Sequence, residues 1–140
     1  MEHYVIEFDR NYEGLRCIGI FTDRGYRCGY VGVSKGNRYY GKDYTDIDSY
    51  ISCHGGLTYS SSTENSIYPV SSNLWWFGFD CAHYDDGTDT ELVEKIFHRP
   101  IVIVNDMYDG NYVISQSEVM NDCISIARQL LGEEWDDKLY

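Results

Sequence analysis

Three runs near the start of the chain, H-Y-V-I-E-F (3–8), L-R-C-I-G-I-F (15–21) and R-C-G-Y-V-G-V (27–33), alternate apolar residues with polar or small ones. In an extended strand successive side chains point to opposite faces, so this alternation marks strands whose two faces differ. Asn11, Gly14 and the pair Gly25-Tyr26 supply turn signals between the runs, and together they predict an antiparallel meander. The rest of the fold has to be built against that sheet.

The loop S-K-G-N-R-Y-Y-G-K-D-Y comes next, marked as exposed by its glycines and charges. A weaker strand is expected at Tyr50–Cys53, leading into His54-Gly55-Gly56, and L-T-Y follows. S-S-S-T-E-N-S (60–66) is poor in apolar residues and reads as a mobile loop reaching to about residue 72. Leu74–Cys81 is the most aromatic run and is expected as a strand in the hydrophobic core. Thr88-x-x-Glu91 has capping-box spacing ahead of L-V-E-K-I-F, and Pro100 keeps that helix short. Ser115-x-x-Glu118 repeats the pattern ahead of Val119, Met120, Cys123, Ile124, Ala127, Leu130 and Leu131, which fall on one helical face before the stop at Gly132. Pro100-I-V-I-V and Tyr112-V-I are expected as a strand pair around the loop 106–110, and 133–140 as an acidic tail. The expectation is one α+β domain over residues 1–140: a mainly antiparallel sheet, a C-terminal helix packed across it and one short helix.

Charge bounds the function. The chain has 23 Asp and Glu against 11 Lys and Arg, a formal charge of −12, which disfavours direct binding to nucleic acid or to an anionic membrane. A basic partner is the better expectation. Residues 10–42 go the other way, with Arg10, Arg16, Arg24, Arg27, Lys35, Arg38 and Lys42 against Glu13 and Asp23. Most of the acid follows residue 80, in Asp85, Asp86, Asp89, Glu91 and Glu94 and in Glu133, Glu134, Asp136 and Asp137. The ordinary role of such residues is a solvated surface. No apolar run approaches the roughly 18 residues of a membrane helix and no leader peptide is visible, so a cytoplasmic protein is expected. The five cysteines, Cys17, Cys28, Cys53, Cys81 and Cys123, form no C-x-x-C pair and are expected as reduced thiols.

The aromatic run ends in D-C-A-H, which sets Asp80, Cys81 and His83 at the edge of a core, where polar groups need partners. His54 closes the Tyr50–Cys53 strand, so a sheet that brings the two strand ends together would gather four ligand-type side chains. Zinc takes Cys, His and, less often, Asp in a tetrahedral shell. The expected order of preference is His54 and His83, then Asp80, then Cys81, with Cys53 and Cys28 in reserve. Period-two alternation sends Asp80 and Cys81 to opposite faces, so both can reach one ion only if the chain turns at Cys81. The alternative is that these residues are core and turn elements: D-C-A-H matches no standard zinc signature.

The ordered set C-G-Y-V-x-V (28–33), Y-Y-G-K-D-Y (39–44), H-G-G-L-T-Y (54–59), W-W-F-G-F-D-C-A-H (75–83), Tyr112-V and I-A-R-Q-L (126–130) resembles a family of small proteins encoded by phages and prophages. The resemblance spans nearly the whole chain. It implies a polar or metal site at His54, Asp80 and His83 with Asp85 or Asp86, and a bound divalent ion, zinc first; where relatives read A-H-A-G-D, this chain reads A-H-Y-D-D. The family is similar in size and charge to the anti-CRISPR inhibitors that phages direct against Cas9. That likeness implies an acidic zinc protein, not an enzyme, that acts in the host bacterial cytoplasm and binds Cas9 to block target-DNA loading. Cas9 holds its heteroduplex in a positively charged channel, which an acidic protein can cover. The acidic residues after position 80 named above would form the contact surface. A small metal-dependent hydrolase acting on a phosphoester or nucleotide signal is the alternative, although the chain has no phosphate-cradling glycine loop with a following Lys and no nucleophile elbow.

Overall fold

The expected meander is present as β1 (Tyr4–Tyr12), β2 (Leu15–Thr22) and β3 (Arg27–Val33), each antiparallel to the next. The computed structural model describes residues 3–62, 69–70, 72–99 and 112–132. Tyr12 pairs with Leu15, and the intervening Glu13 and Gly14 both have positive φ, the backbone that a tight hairpin needs to follow strand twist. β4 (Tyr59–Ser62) and β5 (Trp75–Asp80) complete one five-stranded antiparallel sheet in the order β1-β2-β3-β5-β4. The aromatic run is thus an inner strand, flanked by β3 on one side and β4 on the other.

Both faces of the sheet are covered, which turns the expected alternation into nearly continuous burial along β2 and β3. One face carries Cys17, Val31, Phe77 and Phe79 and packs against Val119, Cys123, Ile126 and Leu130 of α2 (Gln116–Leu131). At its closest approach the helix allows no side chain below it: a Cβ on Gly29 would lie 2.5 Å from the Phe79 ring and 2.8 Å from Cys123 Sγ. The other face gathers Ile18, Ile20, Tyr30 and Trp76, with Val70 and Leu74 against them. The short helix α1 (Thr90–Phe97) is fastened to the sheet by Phe97, whose ring stacks on the buried Phe21 at 6.4 Å. The architecture is therefore α+β, as expected, with the C-terminal helix packed on the sheet and one short helix beside it.

Local signals were read correctly at α2, where Ser115 and Glu118 form a reciprocal capping box and Gly132 ends the helix in the left-handed conformation. Four expectations are corrected. Tyr112–Ile114 is not a strand: Tyr112 forms an isolated parallel bridge with Asp86. Tyr50–Cys53 is not a strand but part of a turning segment after the short 3-10 helix at Tyr44–Asp46, because Ile47 and Ile51 bury themselves one helical turn apart. Residues 60–62 of the expected mobile loop belong, with Tyr59, to β4, paired with Trp75–Gly78 of β5. The cap of α1 is Asp89 rather than Thr88, its carboxylate accepting from Leu92 N–H. The expected strand at 100–104, the loop 106–110, the rest of the 60–72 loop apart from 69, 70 and 72, and the tail 133–140 lie outside the described residues. No helix among the described residues is long and apolar enough to cross a membrane.

A buried ion pair sets where α2 begins. Arg27 is 8% exposed and donates to both carboxylate oxygens of Glu7, at 2.7 and 3.2 Å, and to the carbonyl of Ile114 at 2.9 Å. Ile114 immediately precedes the Ser115 cap, so β1 and β3 jointly hold the start of the helix that reaches the candidate site.

Candidate functional site

The site grows from the end of β5. Asp80 closes the strand and the chain turns at once: Asp80 Oδ1 accepts from Ala82 N–H at 3.1 Å, and Asp80 Oδ2 accepts from the Thr58 hydroxyl at 3.1 Å. The turn breaks the strand alternation and brings His83 back toward Asp80, with His83 Nε2 at 3.5 Å from Asp80 Oδ1. A second tight turn follows, in which Asp86 N–H donates to the His83 carbonyl at 2.9 Å and Asp86 Oδ2 accepts from His83 N–H at 3.0 Å. Gly87 N–H then donates to the Tyr112 carbonyl at 2.7 Å, so the loop is stitched to the segment that leads into α2.

Asp86 is the centre of the group. Its side chain is 4% exposed, and its two oxygens lie 2.8 and 2.9 Å from His54 Nε2. A carboxylate buried this deeply is tolerable because each oxygen has a hydrogen-bond partner. The His54 and His83 rings meet edge to face, 5.7 Å apart. Their approach depends on Gly55, which has φ +69°, and whose Cβ, if present, would sit 2.0 Å from His83 Nε2. A left-handed residue with no side chain is required there on both counts. That close packing also leaves His83 Nε2 shielded from solvent without a hydrogen-bond partner of normal length.

Helix α2 fixes the other side of His54. Asp122 Oδ2 accepts from His54 N–H at 2.9 Å. Two turns further on, Gln129 clamps the Ser52 peptide, accepting from its N–H at 2.7 Å and donating to its carbonyl at 2.8 Å. The backbone on either side of Cys53 is thus held to the helix. Beside His54 lies a cleft of about 320 Å³ lined by Ile114, Glu118, Asn121 and Asp122.

Of the four ligands expected for zinc, the structure gathers His54, His83 and Asp80 and adds Asp86. Cys81 does not join them. It is buried in the α2-facing core with Phe77 and Phe79, and burial pushes its thiol far above the ordinary range, with the nearby carboxylates of Asp86 and Asp80 acting in the same direction. Cys53 is likewise pushed up to about 12, chiefly by burial. The donor chemistry suits zinc, although among the described residues no group of three or more His, Cys, Asp or Glu side chains already stands in the arrangement of an ion-binding shell. His54 Nε2 is already engaged by Asp86. Asp86 is also corrected as a surface contact, since its carboxylate faces inward, and Asp89 uses an oxygen to cap α1. Asp85, Glu91 and Glu94 are exposed, and Glu133, Glu134, Asp136 and Asp137 lie outside the described residues.

Of the two acidic candidates, Asp85 and Asp86, it is Asp86 that pairs with His54; Asp122 and Gln129, its supports, were not among the expected site residues. One signal was present: Asp122 and Gln129 are seven residues apart, so they share a helical face at the border of the apolar stripe. No protein-family model matches the chain, and comparison with curated proteins and with solved structures gives no match.

Proposed function

We propose that the protein works by binding a basic protein surface, as an inhibitor, and that the His54, Asp80, His83 and Asp86 cluster holds the binding loop in shape. The observation that carries this reading is the pairing of exposed tyrosines with exposed carboxylates around the cluster. Tyr84 is 66% and Tyr112 65% exposed, and the parallel bridge of Asp86 with Tyr112, carrying the bond from Gly87 N–H to the Tyr112 carbonyl, brings their segments together. Asp85 is exposed in the first segment, and Glu118, though exposed in the second, is engaged by the Tyr112 hydroxyl and the Ser115 cap. Tyrosine is over-represented among residues that dominate protein interfaces, and carboxylates beside it select Arg- and Lys-rich partners.

The resemblance to anti-CRISPR inhibitors makes Cas9 the partner to test first and target-DNA loading the step to assay. The Tyr84→Ala, Asp85→Asn double variant is expected to weaken Cas9 binding by tenfold or more, in line with about 1–3 kcal/mol for interface anchors, and to melt with the parent. Equal binding by parent and variant would remove this surface from the proposal, and failure of the parent to bind Cas9 would remove Cas9. Zinc is the proposed cofactor, supported by the donor types and by the unbonded His83 Nε2. Its test is elemental analysis of untagged protein: about one zinc per chain supports it, and a metal-free folded protein refutes it.

The hydrolase alternative has one observation in its favour: a buried carboxylate orients His54 beside the 320 Å³ cleft, as an acid or base residue would be held. Against it, the described residues lining that cleft include Glu118 and Asp122 and no cation to bind a phosphoester. Turnover of a phosphoester panel that is abolished by His54→Ala would favour this alternative.

A further inference from the structure

The motif Y-Y-G-K-D-Y takes no part in the site above, yet it borders a cleft of about 650 Å³ lined by Arg38, Tyr39, Lys42, Asp46, Ile47 and Tyr50. That volume suits a small organic ligand. The chemistry of the lining narrows the choice. Arg38 lies over the Tyr39 ring, 4.8 Å from its centroid, and donates to the Tyr39 hydroxyl at 2.7 Å. Tyr50 stands 6.5 Å from Tyr39 at 44° and is 46% exposed, so an aromatic face is presented to the cleft. Ile47 adds an apolar floor and Asp46 a carboxylate, which can accept from a base or sugar donor and repels a phosphate set beside it.

Two features of this cleft matter on so acidic a chain. Arg16, Arg27 and Arg99 are each neutralised by a carboxylate, at 2.6 to 2.7 Å. Arg38 and Lys42, like Arg10, Arg24, Lys35 and Lys95, form no ion pair with any described residue, and these two line one cleft. The backbone that carries them is also held before any ligand arrives: Tyr39 N–H donates to Asn37 Oδ1 at 2.8 Å, Lys42 N–H to the Tyr39 carbonyl at 3.0 Å, and Trp75 Nε1–H to the Lys42 carbonyl at 2.8 Å. Tyr44 N–H, donating to Ser60 Oγ at 2.8 Å, ties the end of the loop to β4.

We propose that this cleft binds a nucleoside phosphate, with the base stacked on Tyr50 and the Arg38 guanidinium and the phosphate held by Arg38 and Lys42. Stacking on aromatic rings and guanidinium planes is tolerant of base identity, and the apolar floor favours a ring over a bare anion. A net charge of −12 opposes a long polyanion far more than a single phosphate group, which selects the mononucleotide over nucleic acid.

The test is calorimetric titration of the full chain at low salt with AMP, adenosine, inorganic phosphate and a short single-stranded oligonucleotide. Saturable one-to-one AMP binding is expected, with adenosine and inorganic phosphate each weaker by about tenfold or more, since each lacks one of the two interactions. Lys42→Gln should weaken AMP and leave adenosine unchanged, whereas Tyr50→Ala should weaken both. These side chains are exposed, and unchanged melting temperatures verify that the variants fold. The proposal is overturned by absence of saturable AMP binding, by inorganic phosphate binding as tightly as AMP, by variants that bind AMP like the parent, or by an oligonucleotide that binds more tightly than AMP.

Discussion

Removing the Asp86 carboxylate tests whether the cluster is a hydrogen-bonded unit. In Asp86→Ala two partners are stranded: the His83 N–H, 3.0 Å from the carboxylate, and His54 Nε2 at 2.8 Å. A hydrogen bond to a charged group contributes about 1.5–3 kcal/mol, and an unsatisfied buried donor costs about 1–3 kcal/mol. His54 is partly exposed, so water recovers some of its loss and the low end applies to that bond. The sum is about 3–4 kcal/mol, or about 10 °C in melting temperature for a domain of this size. His54→Ala leaves the carboxylate buried with one backbone donor, the His83 N–H, and should cost about 2–3 kcal/mol. Once either partner is gone the other has little left to lose, so the double variant should fall about 2 kcal/mol short of the sum of the singles. Urea unfolding followed by circular dichroism measures all four corners of the cycle. Additive losses would refute the argument, as would an Asp86→Ala cost below about 1 kcal/mol. Repeating the cycle after treatment with a chelator separates the two accounts of the site: a coupling made of hydrogen bonds is unchanged by chelation, and one routed through zinc disappears.

Other perturbations follow from the same geometry. Gly55→Ala should destabilise by about 2 kcal/mol or more, because it forces a side chain into left-handed backbone and into the space of His83, and thermal unfolding will register it. Gln129→Ala leaves both polar groups of Ser52 unpaired and should cost about 1–3 kcal/mol, with faster amide exchange at Ser52 as the local signature. Burial raises the thiols of Cys17, to about 11, and of Cys53, Cys81 and Cys123, so these four should resist a thiolate-selective reagent at pH 8 until the protein is unfolded. Rapid native labelling of any of them, read by mass spectrometry, would contradict the packing.

The sheet and α2 were legible because each rests on a local pattern strong enough to stand alone. Alternation at 3–33, the aromatic run at 75–80 and a reciprocal capping box at Ser115 needed no tertiary help. The failures occur where tertiary pairing decided the outcome. Tyr59–Ser62 has three serines and little apolar character, but an edge strand needs only backbone donors and acceptors, and β5 offered them. Tyr50–Cys53 had the composition of a strand, but Gln129 of α2 satisfies the peptide at Ser52, so no neighbouring strand was needed.

At the site, residue types were readable and pairings were not. His54, Asp80 and His83 stood out because polar groups beside an aromatic strand require partners. Strand alternation put Asp80 and His83 on opposite faces, and the turn capped by Asp80 itself overrode that parity. The same turn carries Cys81 inward and leaves Asp86 as the only described carboxylate on His54 Nε2. The acidic run that begins at Asp85 therefore divides by function rather than by charge. Asp85 faces water and is available to a partner, Asp86 is spent on His54, and Asp89 is spent on the cap of α1. Neutralising the run as a block would mix a binding defect with a folding defect. Single substitutions separate them, because only the change at Asp85 should alter association and leave the melting temperature in place.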